Sequence, residues 1–229
     1  MAQNDAAAPL AEVLQAKNDA LRSGMDEGTL EVIDAGVQHL IDTDAGKDVI
    51  QVGSEVPDFT LTSDKGAEVS LSSLLEGGKP AVVSFFRGSW CPYCNVEAAY
   101  HNKHLAPVLS ELGVSLVAIS PMLESKTGEM VGANDADGNP FSFDFLSDTN
   151  NKVAKSLGLV FELDANTASL YDNFFNHAEV YGEDTPRELP IPATLVIGAD
   201  RTVKFIHADL RYNTRANVSE VISAVRSHL

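Results

Sequence analysis

The sequence predicts an α/β protein with a mixed central sheet flanked by helices and preceded by a helical extension. Helical periodicity dominates the first fifty residues, and from Val52 short apolar runs alternate with helical stretches. Two cysteines three positions apart directly follow one buried-strand run. The chain of 229 residues suits one core domain with an appendage. We therefore expect an extension over residues 1–48 and a domain over 49–229.

The extension shows two apolar stripes at helical spacing between residues 9 and 43, separated near Gly24 and Gly28. The stripes comprise Leu10, Val13 and Leu14, and then Leu30, Ile33, Val37, Leu40 and Ile41. Neither carries a chemical motif, so we interpret the pair as a helical hairpin that packs on the domain or on a second subunit.

The second region begins with short alternating segments at 58–61 and 68–71, joined by a turn at 63–66, which predict a hairpin. A buried-strand run at 81–86, a helical pattern through about Leu112 and another apolar run at 114–119 then predict a βαβ unit. The remaining predicted elements are a helix at 122–131, a polar loop at 132–140, a strand at 144–146, helical stretches at 150–157 and 164–176, strands at 193–197 and 203–207, and a helix at 217–228.

The charge balance narrows the classes of partner. Thirty-three acidic and sixteen basic side chains give a formal charge of −17, which repels nucleic acids and anionic membranes. No uncharged apolar run reaches the roughly 18 residues that a membrane span needs, and the first residues lack the pattern of a secretory signal. We therefore expect a soluble, cytoplasmic protein.

The chemistry is expected at Cys91 and Cys94. A disulfide that closes so short a loop adds little stability, so the pair suits redox chemistry better than a structural role. Cys91 falls where a helix begins, and free backbone N–H groups there favour a thiolate. Pro92 fits the first helical turn because it has no N–H to lose. The position predicts that Cys91 is the more exposed and more acidic thiol and that Cys94 resolves what it forms.

Half of a zinc site is the main alternative for a CxxC pair. Such a site needs two more ligands, and the sequence has no second CxxC and no histidine pair at metal-binding spacing. We therefore expect no metal, and no feature of the sequence calls for another cofactor.

Three segments together resemble the peroxiredoxin-like branch of the alkyl hydroperoxide reductase and thiol-specific antioxidant family, in the thioredoxin-like superfamily. They are Val-Pro-Asp-Phe-Thr-Leu at 56–61, Ser-Phe-Phe-Arg-Gly-Ser-Trp-Cys-Pro-Tyr-Cys at 84–94, and Leu-Pro-Ile-Pro-Ala-Thr at 189–194. The resemblance covers about residues 52–228 and implies a thioredoxin-like fold.

The resemblance also implies a surface that meets substrates or partner proteins. Trp90 precedes the first cysteine, and Pro92 and Tyr93 separate the two cysteines in a CPYC loop similar to that of glutaredoxins. Pro192 matches the proline that faces the CxxC loop in thioredoxin-like proteins, so we expect the Ile191–Pro192 peptide to be cis. Alternatively, Trp90 is a core residue and Pro192 an ordinary edge-strand proline.

Several family positions hold other residues. The Pro and Thr that precede the peroxidatic cysteine of typical peroxiredoxins correspond to Ser84 and Gly88, and the peroxide-orienting Arg corresponds to Pro192. The buried Asp of typical thioredoxins corresponds to Phe85. Arg87 is either a substitute that stabilises a thiolate and holds a peroxide oxygen or an ordinary surface arginine.

The resemblance favours a thiol-dependent antioxidant peroxidase in which Cys91 becomes a sulfenic acid and Cys94 closes a disulfide. A thioredoxin-like protein or glutathione would then act as the reductant, and a homodimer is possible. A general protein thiol–disulfide oxidoreductase uses the same two sulfurs and is the first alternative. A redox-sensing protein without enzymatic activity is the second.

Overall fold

A computed structural model describes residues 8–132, 138–183 and 185–229 and shows an α/β fold with one large mixed sheet. The helices are α1 (Leu10–Arg22), α2 (Glu27–Asp42), α3 (Leu71–Leu74), α4 (Pro92–Tyr100), α5 (Ala106–Leu112), α6 (Glu124–Gly132), α7 (Lys152–Ser156), α8 (Ala165–Tyr171), α9 (His177–Tyr181) and α10 (Val218–Arg226). The strands are β1 (Thr60–Ser63), β2 (Glu68–Ser70), β3 (Ala81–Phe85), β4 (Ser115–Ser120), β5 (Asp144–Ser147), β6 (Val160–Glu162), β7 (Glu188–Pro190), β8 (Ala193–Ile197) and β9 (Val203–Ala208). The fold class predicted from the sequence is confirmed. Most of the predicted loop at 132–140 lies outside the described residues.

The large sheet has seven strands in the order β2-β1-β5-β4-β3-β8-β9. Strand β3 lies inside it, parallel to β4 and antiparallel to β8. Every residue of β3 is buried, which explains why its sequence is an almost unbroken apolar run. The segment that carries the cysteines therefore begins at the C-terminal end of a central strand of the sheet.

The helix after β3 begins at Pro92, with Cys91 as its N-cap residue. A single helix through Leu112 was predicted, and the structure interrupts it with a π-helical turn at His101–Leu105. Pro107 lies two residues after that turn. Because proline has no N–H and its ring clashes with a carbonyl one turn earlier, a regular α-helix cannot pass it undisturbed.

The two predicted N-terminal helices are present as α1 and α2, and α1 packs against α4. Leu10 and Leu14 of α1 are buried. Arg22 donates two hydrogen bonds to Asp34, at 2.8 and 2.7 Å, which ties α1 to α2. The helical hairpin thus packs on the same chain. The proposed division at residue 48 stays a prediction.

Sequence patterns did not predict the small sheet of β6 and β7 or helix α9. Both strands have only three residues, and β7 ends in a proline. Helix α9 has five residues. Elements this short contain too few side chains to show a period.

Gly158 should be intolerant of any side chain. Its φ is +66°, and a Cβ atom there would lie 1.9 Å from the carbonyl oxygen of Asp48, in the segment that joins the extension to the domain. We expect Gly158→Ala to lower the free energy of unfolding by about 2–4 kcal/mol, because left-handed strain and a backbone clash add. Gly66→Ala is the matched control, since its φ of +76° is similar and no heavy atom lies within 4 Å. Urea unfolding measures both, and equal losses would show that the clash is relieved without cost.

Candidate active site

The two sulfurs lie together at the start of α4. Cys91 Sγ is 2.6 Å from Cys94 Sγ and accepts a hydrogen bond from the backbone N–H of Cys94 at 3.4 Å. Both cysteines are free thiols. The two sulfurs are therefore close enough for a disulfide to form between them.

The prediction that Cys91 is the more exposed thiol is wrong. Cys91 is 0% exposed and Cys94 is 1% exposed. The N-terminus of the helix faces a layer of aromatic side chains instead of solvent, with an arginine between that layer and the sulfur. A reactant must therefore approach Cys91 through this covering layer.

Arg87 is that arginine, and it is buried rather than on the surface. Its guanidinium donates to Cys91 Sγ at 3.2 Å and to the Tyr171 hydroxyl at 2.9 Å. The guanidinium carbon lies 5.0 Å from the Trp90 ring centre and 4.6 Å from that of Tyr212, within the range of cation–π attraction. The arrangement fixes one cation on the sulfur of Cys91.

A second buried arginine, which sequence reasoning missed, reaches the other sulfur. Arg215 Nη2 lies 3.5 Å from Cys94 Sγ, and Arg215 Nε donates to Glu97 Oε2 at 2.5 Å. Arg215 also donates to the carbonyls of Tyr212 and Thr214 at 2.6 and 2.7 Å. One signal was available: Glu97 follows Cys94 by three residues, on the same buried face of α4, where a carboxylate requires a partner.

The surroundings separate the acidities of the two thiols. Burial alone would raise the pKa of Cys91, but the Cys94 thiol and the charges of Arg87 and Arg215 hold that pKa well below its ordinary value. Burial and the neighbouring Cys91 sulfur raise the pKa of Cys94 well above the ordinary value. These directions favour Cys91 as the thiolate and Cys94 as the thiol that donates to it.

Trp90 and Tyr93, expected to meet substrates or partners, pack into the layer above the sulfurs. Trp90 is half-buried, stacks on Phe175 with ring centres 4.2 Å apart, and donates to the Tyr181 hydroxyl at 2.6 Å. Tyr93 is buried and donates to Asn18 of α1 at 3.0 Å. Pro92, between them in position, lines the same cavity as both rings. These side chains line a cavity that is partly open to solvent, since Phe174 in the same lining is 50% exposed.

The prediction of a cis peptide at Pro192 is wrong. The Ile191–Pro192 bond is trans, and Pro192 is buried directly before β8, whose Ala193 pairs with Phe85. Because Pro192 precedes the strand, its missing N–H removes no hydrogen bond from the sheet. The trans isomer of an X–Pro bond is favoured by about 0.5–1 kcal/mol. The main sequence argument for thioredoxin-like partner docking is therefore removed.

The position of Gly88 shows why the usual threonine is absent. A Cβ atom there would lie 2.8 Å from Trp90 Nε1 and 3.1 Å from the Tyr181 hydroxyl, at a φ of +156°. The Trp90–Tyr181 hydrogen bond occupies the space of a side chain at position 88.

Ser84 and Phe85 are buried within β3 and are not bonded to either sulfur by a described hydrogen bond.

Metal ligands do not gather in the described part of the chain: no three His, Cys, Asp or Glu side chains there lie together as a candidate site. Within residues 8–132, 138–183 and 185–229, no helix has the length and apolar character of a membrane span.

The fold and the site define a thioredoxin-fold protein with a CxxC pair at a helix N-terminus. The sequence profile of the AhpC/TSA family matches residues 52–206, and the chain belongs to that family.

Comparisons with individual proteins agree with this assignment. The thiol-disulfide oxidoreductase ResA of Bacillus anthracis is 36% identical over 75 residues, which is 33% of this chain and 41% of that protein. ResA of Geobacillus thermodenitrificans is 32% identical over 128 residues, covering 48% and 70% of the two chains. The chain thus spans about two fifths of the length of the first of these relatives.

Solved structures show the same fold. The peroxidoxin BcpB of Mycobacterium tuberculosis superposes with a TM-score of 0.56 and 22% identity, over 78% of this chain and 97% of that one. The bacterioferritin comigratory protein of Xanthomonas campestris gives a TM-score of 0.57 and 15% identity, over 80% and 99%. Likeness at this identity is evidence for the fold alone.

Proposed function

We propose that the protein is a thiol peroxidase that reduces hydroperoxides with Cys91 and recycles through a Cys91–Cys94 disulfide. The observation that carries the proposal is the contact of Arg87 with Cys91 Sγ, which places a fixed guanidinium where a peroxide would meet a thiolate. The family assignment supports the same reaction class.

The proposed reaction has three steps. The Cys91 thiolate attacks the terminal oxygen of ROOH, the O–O bond breaks, and the alkoxide leaves and takes a proton to become ROH. The Cys94 thiol then attacks the sulfur of the Cys91 sulfenic acid, which forms the disulfide and releases water. A dithiol, or two thiols, reduces the disulfide and is itself oxidised. A thioredoxin-like protein or glutathione in the cytoplasm is the proposed donor.

Arg87 has two roles in this scheme. Its charge holds the pKa of Cys91 low, and its donors can polarise the O–O bond as charge develops on the leaving oxygen. The hydrogen bond to Tyr171 and the stacked rings fix the guanidinium, so little reorganisation is needed during the reaction. This arrangement takes the place of the donors missing at Gly88 and Pro192.

We expect Arg87→Ala to lower kcat/KM for hydrogen peroxide by about a hundredfold, the scale for losing one fixed donor in a transition state. The pH midpoint of the reaction should also rise, because the thiolate of Cys91 loses its nearest cation. The kcat/KM of Arg87→Lys should lie between those of the wild type and Arg87→Ala, since lysine keeps the charge and loses the planar guanidinium. Stopped-flow rates measured across pH test both effects. Full activity in Arg87→Ala would show that the arginine is structural.

A general protein thiol–disulfide oxidoreductase is the second candidate, favoured by the ResA relatives and by the CxxC pair. The burial of Cys91 and the trans peptide at Pro192 weigh against it. Parallel assays with hydrogen peroxide and with insulin, each with thioredoxin or glutathione as donor, distinguish the two. Insulin reduction without any peroxide consumption would replace the leading proposal.

A further inference from the structure

The attack on a peroxide needs a proton donor as well as a nucleophile. When the Cys91 thiolate breaks the O–O bond, the oxygen that leaves carries a negative charge, as hydroxide or alkoxide. That oxygen leaves more readily if a side chain protonates it while the bond breaks. Arg87 can stabilise the charge but cannot supply the proton, because a guanidinium stays protonated in proteins.

The Cys94 thiol is not free for this task. It donates its hydrogen to Cys91 Sγ, 2.6 Å away. Burial and the Cys91 sulfur raise the pKa of Cys94 well above its ordinary value, which makes this thiol a weak acid. The donor must therefore be another group near the guanidinium of Arg87.

Tyrosine hydroxyls are the remaining donors in the layer that covers the sulfurs. Tyr181 donates its proton to the Arg87 carbonyl at 2.6 Å. Tyr93 donates its proton to Asn18 at 3.0 Å. Tyr212 turns its ring toward Arg87, with the guanidinium carbon 4.6 Å from the ring centre, and no described hydrogen bond joins its hydroxyl to that arginine. None of these three hydroxyls is therefore both uncommitted and bonded to the guanidinium.

Tyr171 has a hydroxyl that meets both conditions. It accepts a hydrogen bond from Arg87 Nη1 at 2.9 Å and donates none within the part of the chain that the structure describes. Because it accepts from a cation, this hydroxyl is polarised and donates its own hydrogen more strongly. A phenol is also a far stronger acid than water or an alcohol, so it readily protonates a hydroxide or an alkoxide.

The guanidinium of Arg87 holds this hydroxyl and the nucleophile side by side. Its Nη1 contacts the Tyr171 oxygen, and its Nη2 lies 3.2 Å from Cys91 Sγ. The two Nη atoms form a planar fork that suits two neighbouring oxygen atoms. A peroxide whose terminal oxygen meets the sulfur along the O–O axis would have its leaving oxygen at the Tyr171 end of that fork.

We propose that Tyr171 is the general acid of the peroxide reaction and protonates the oxygen that leaves. This inference rests on the proposed peroxidase function and assigns a further residue to it. The Cys91 thiolate forms the S–O bond, the O–O bond breaks, and the proton of Tyr171 converts the leaving hydroxide or alkoxide to water or an alcohol. The Tyr171 tyrosinate then faces Arg87 in place of the thiolate, so the buried cation keeps a partner. Tyr171 lines the partly open cavity, and through it the tyrosinate regains a proton from solvent.

Two oxidants with different leaving groups test this role. Hydrogen peroxide releases hydroxide, which needs a proton, whereas peracetic acid releases acetate, which is stable as an anion at neutral pH. We expect Tyr171→Phe to lower kcat/KM for hydrogen peroxide by about a hundredfold or more, the usual contribution of a general acid. The kcat/KM for peracetic acid should change little. Stopped-flow measurements of both reactions across pH give these values.

A purely structural role would give a different pattern. If Tyr171 only holds Arg87 in place, Tyr171→Phe should slow both oxidants alike and raise the pH midpoint of the reaction, as expected for Arg87→Ala. Tyr100→Phe is the matched control, because the hydroxyl it removes donates to the Ala8 carbonyl at 3.1 Å, away from the sulfurs. It should leave both rates unchanged. Turnover of peracetic acid by Tyr171→Phe also checks that this variant is folded.

Three results would overturn the assignment of Tyr171. They are equal slowing of both oxidants, full activity of Tyr171→Phe with hydrogen peroxide, and a loss specific to hydrogen peroxide in Tyr212→Phe instead. In each case, Cys91-dependent turnover by the wild type still supports the peroxidase. If the wild type consumes neither oxidant, the peroxidase proposal itself fails, and the role of Tyr171 fails with it.

Discussion

Cys91→Ser is expected to abolish peroxide consumption, whereas Cys94→Ser should allow a single turnover and then stop. Serine at position 91 has no thiolate, and its hydroxyl does not attack peroxides at neutral pH. Without Cys94 the Cys91 sulfenic acid has no resolving thiol within the chain. The two variants therefore separate the two halves of the proposed cycle.

The measurement combines peroxide consumption with mass spectrometry of the protein. Dimedone, which labels sulfenic acids, should add to Cys91 in Cys94→Ser and should add little in the wild type, where the disulfide forms first. A sulfenic acid trapped on Cys94 instead would reverse the assigned roles. Equal turnover of the wild type and Cys94→Ser would show that an external thiol resolves the intermediate.

Arg215→Ala should have the largest effect on stability of any change near the site. Arg215 and Glu97 form an ion pair whose side chains are only 1% and 3% exposed. Removing one member of a buried pair leaves an uncompensated charge and costs about 3–5 kcal/mol. The carbonyls of Tyr212 and Thr214 would also lose their donor. Urea unfolding of the reduced protein should show a loss of this size.

A double variant, Glu97→Leu with Arg215→Met, keeps the test interpretable. Apolar replacement of both members of a buried pair is often nearly neutral, so the double variant should recover much of the lost stability. It should nevertheless resolve its sulfenic acid slowly. Burial and the Cys91 sulfur raise the pKa of the attacking Cys94 thiol, and the charge of Arg215 offsets part of that rise. Arg211→Ala, at an exposed arginine in the same loop, is the control. Fast resolution in the double variant would mean that Arg215 contributes only to folding.

The fold was largely predictable because its signals are local. Strand β3 is buried on both sides and reads as an apolar run, and Pro92 marks the first turn of the helix that carries both cysteines. The position of Cys91 as the N-cap follows from these two neighbours.

The groups that surround the sulfurs were less predictable because they come from distant parts of the chain. Arg215 contacts a sulfur 121 residues earlier in the sequence. The burial of Cys91 depends on rings from α8 and on the N-terminal helices, and no local pattern contains that information. The peptide at Pro192 was assigned by resemblance, and the pairing of β8 with β3 accommodates the trans form.

The two arginines also bias the balance between the oxidised and reduced forms. With Cys91 as the thiolate, the charges near the sulfurs cancel, because Arg87 lies opposite Cys91 and Arg215 lies opposite Glu97. Oxidation removes the thiolate and leaves the Arg87 cation buried without an anion. By a thermodynamic cycle, a contact that stabilises a Cys91 thiolate stabilises the dithiol over the disulfide, so we expect the two arginines to favour the reduced pair. In the proposed cycle, reduction of the disulfide would thus restore the anion that faces Arg87.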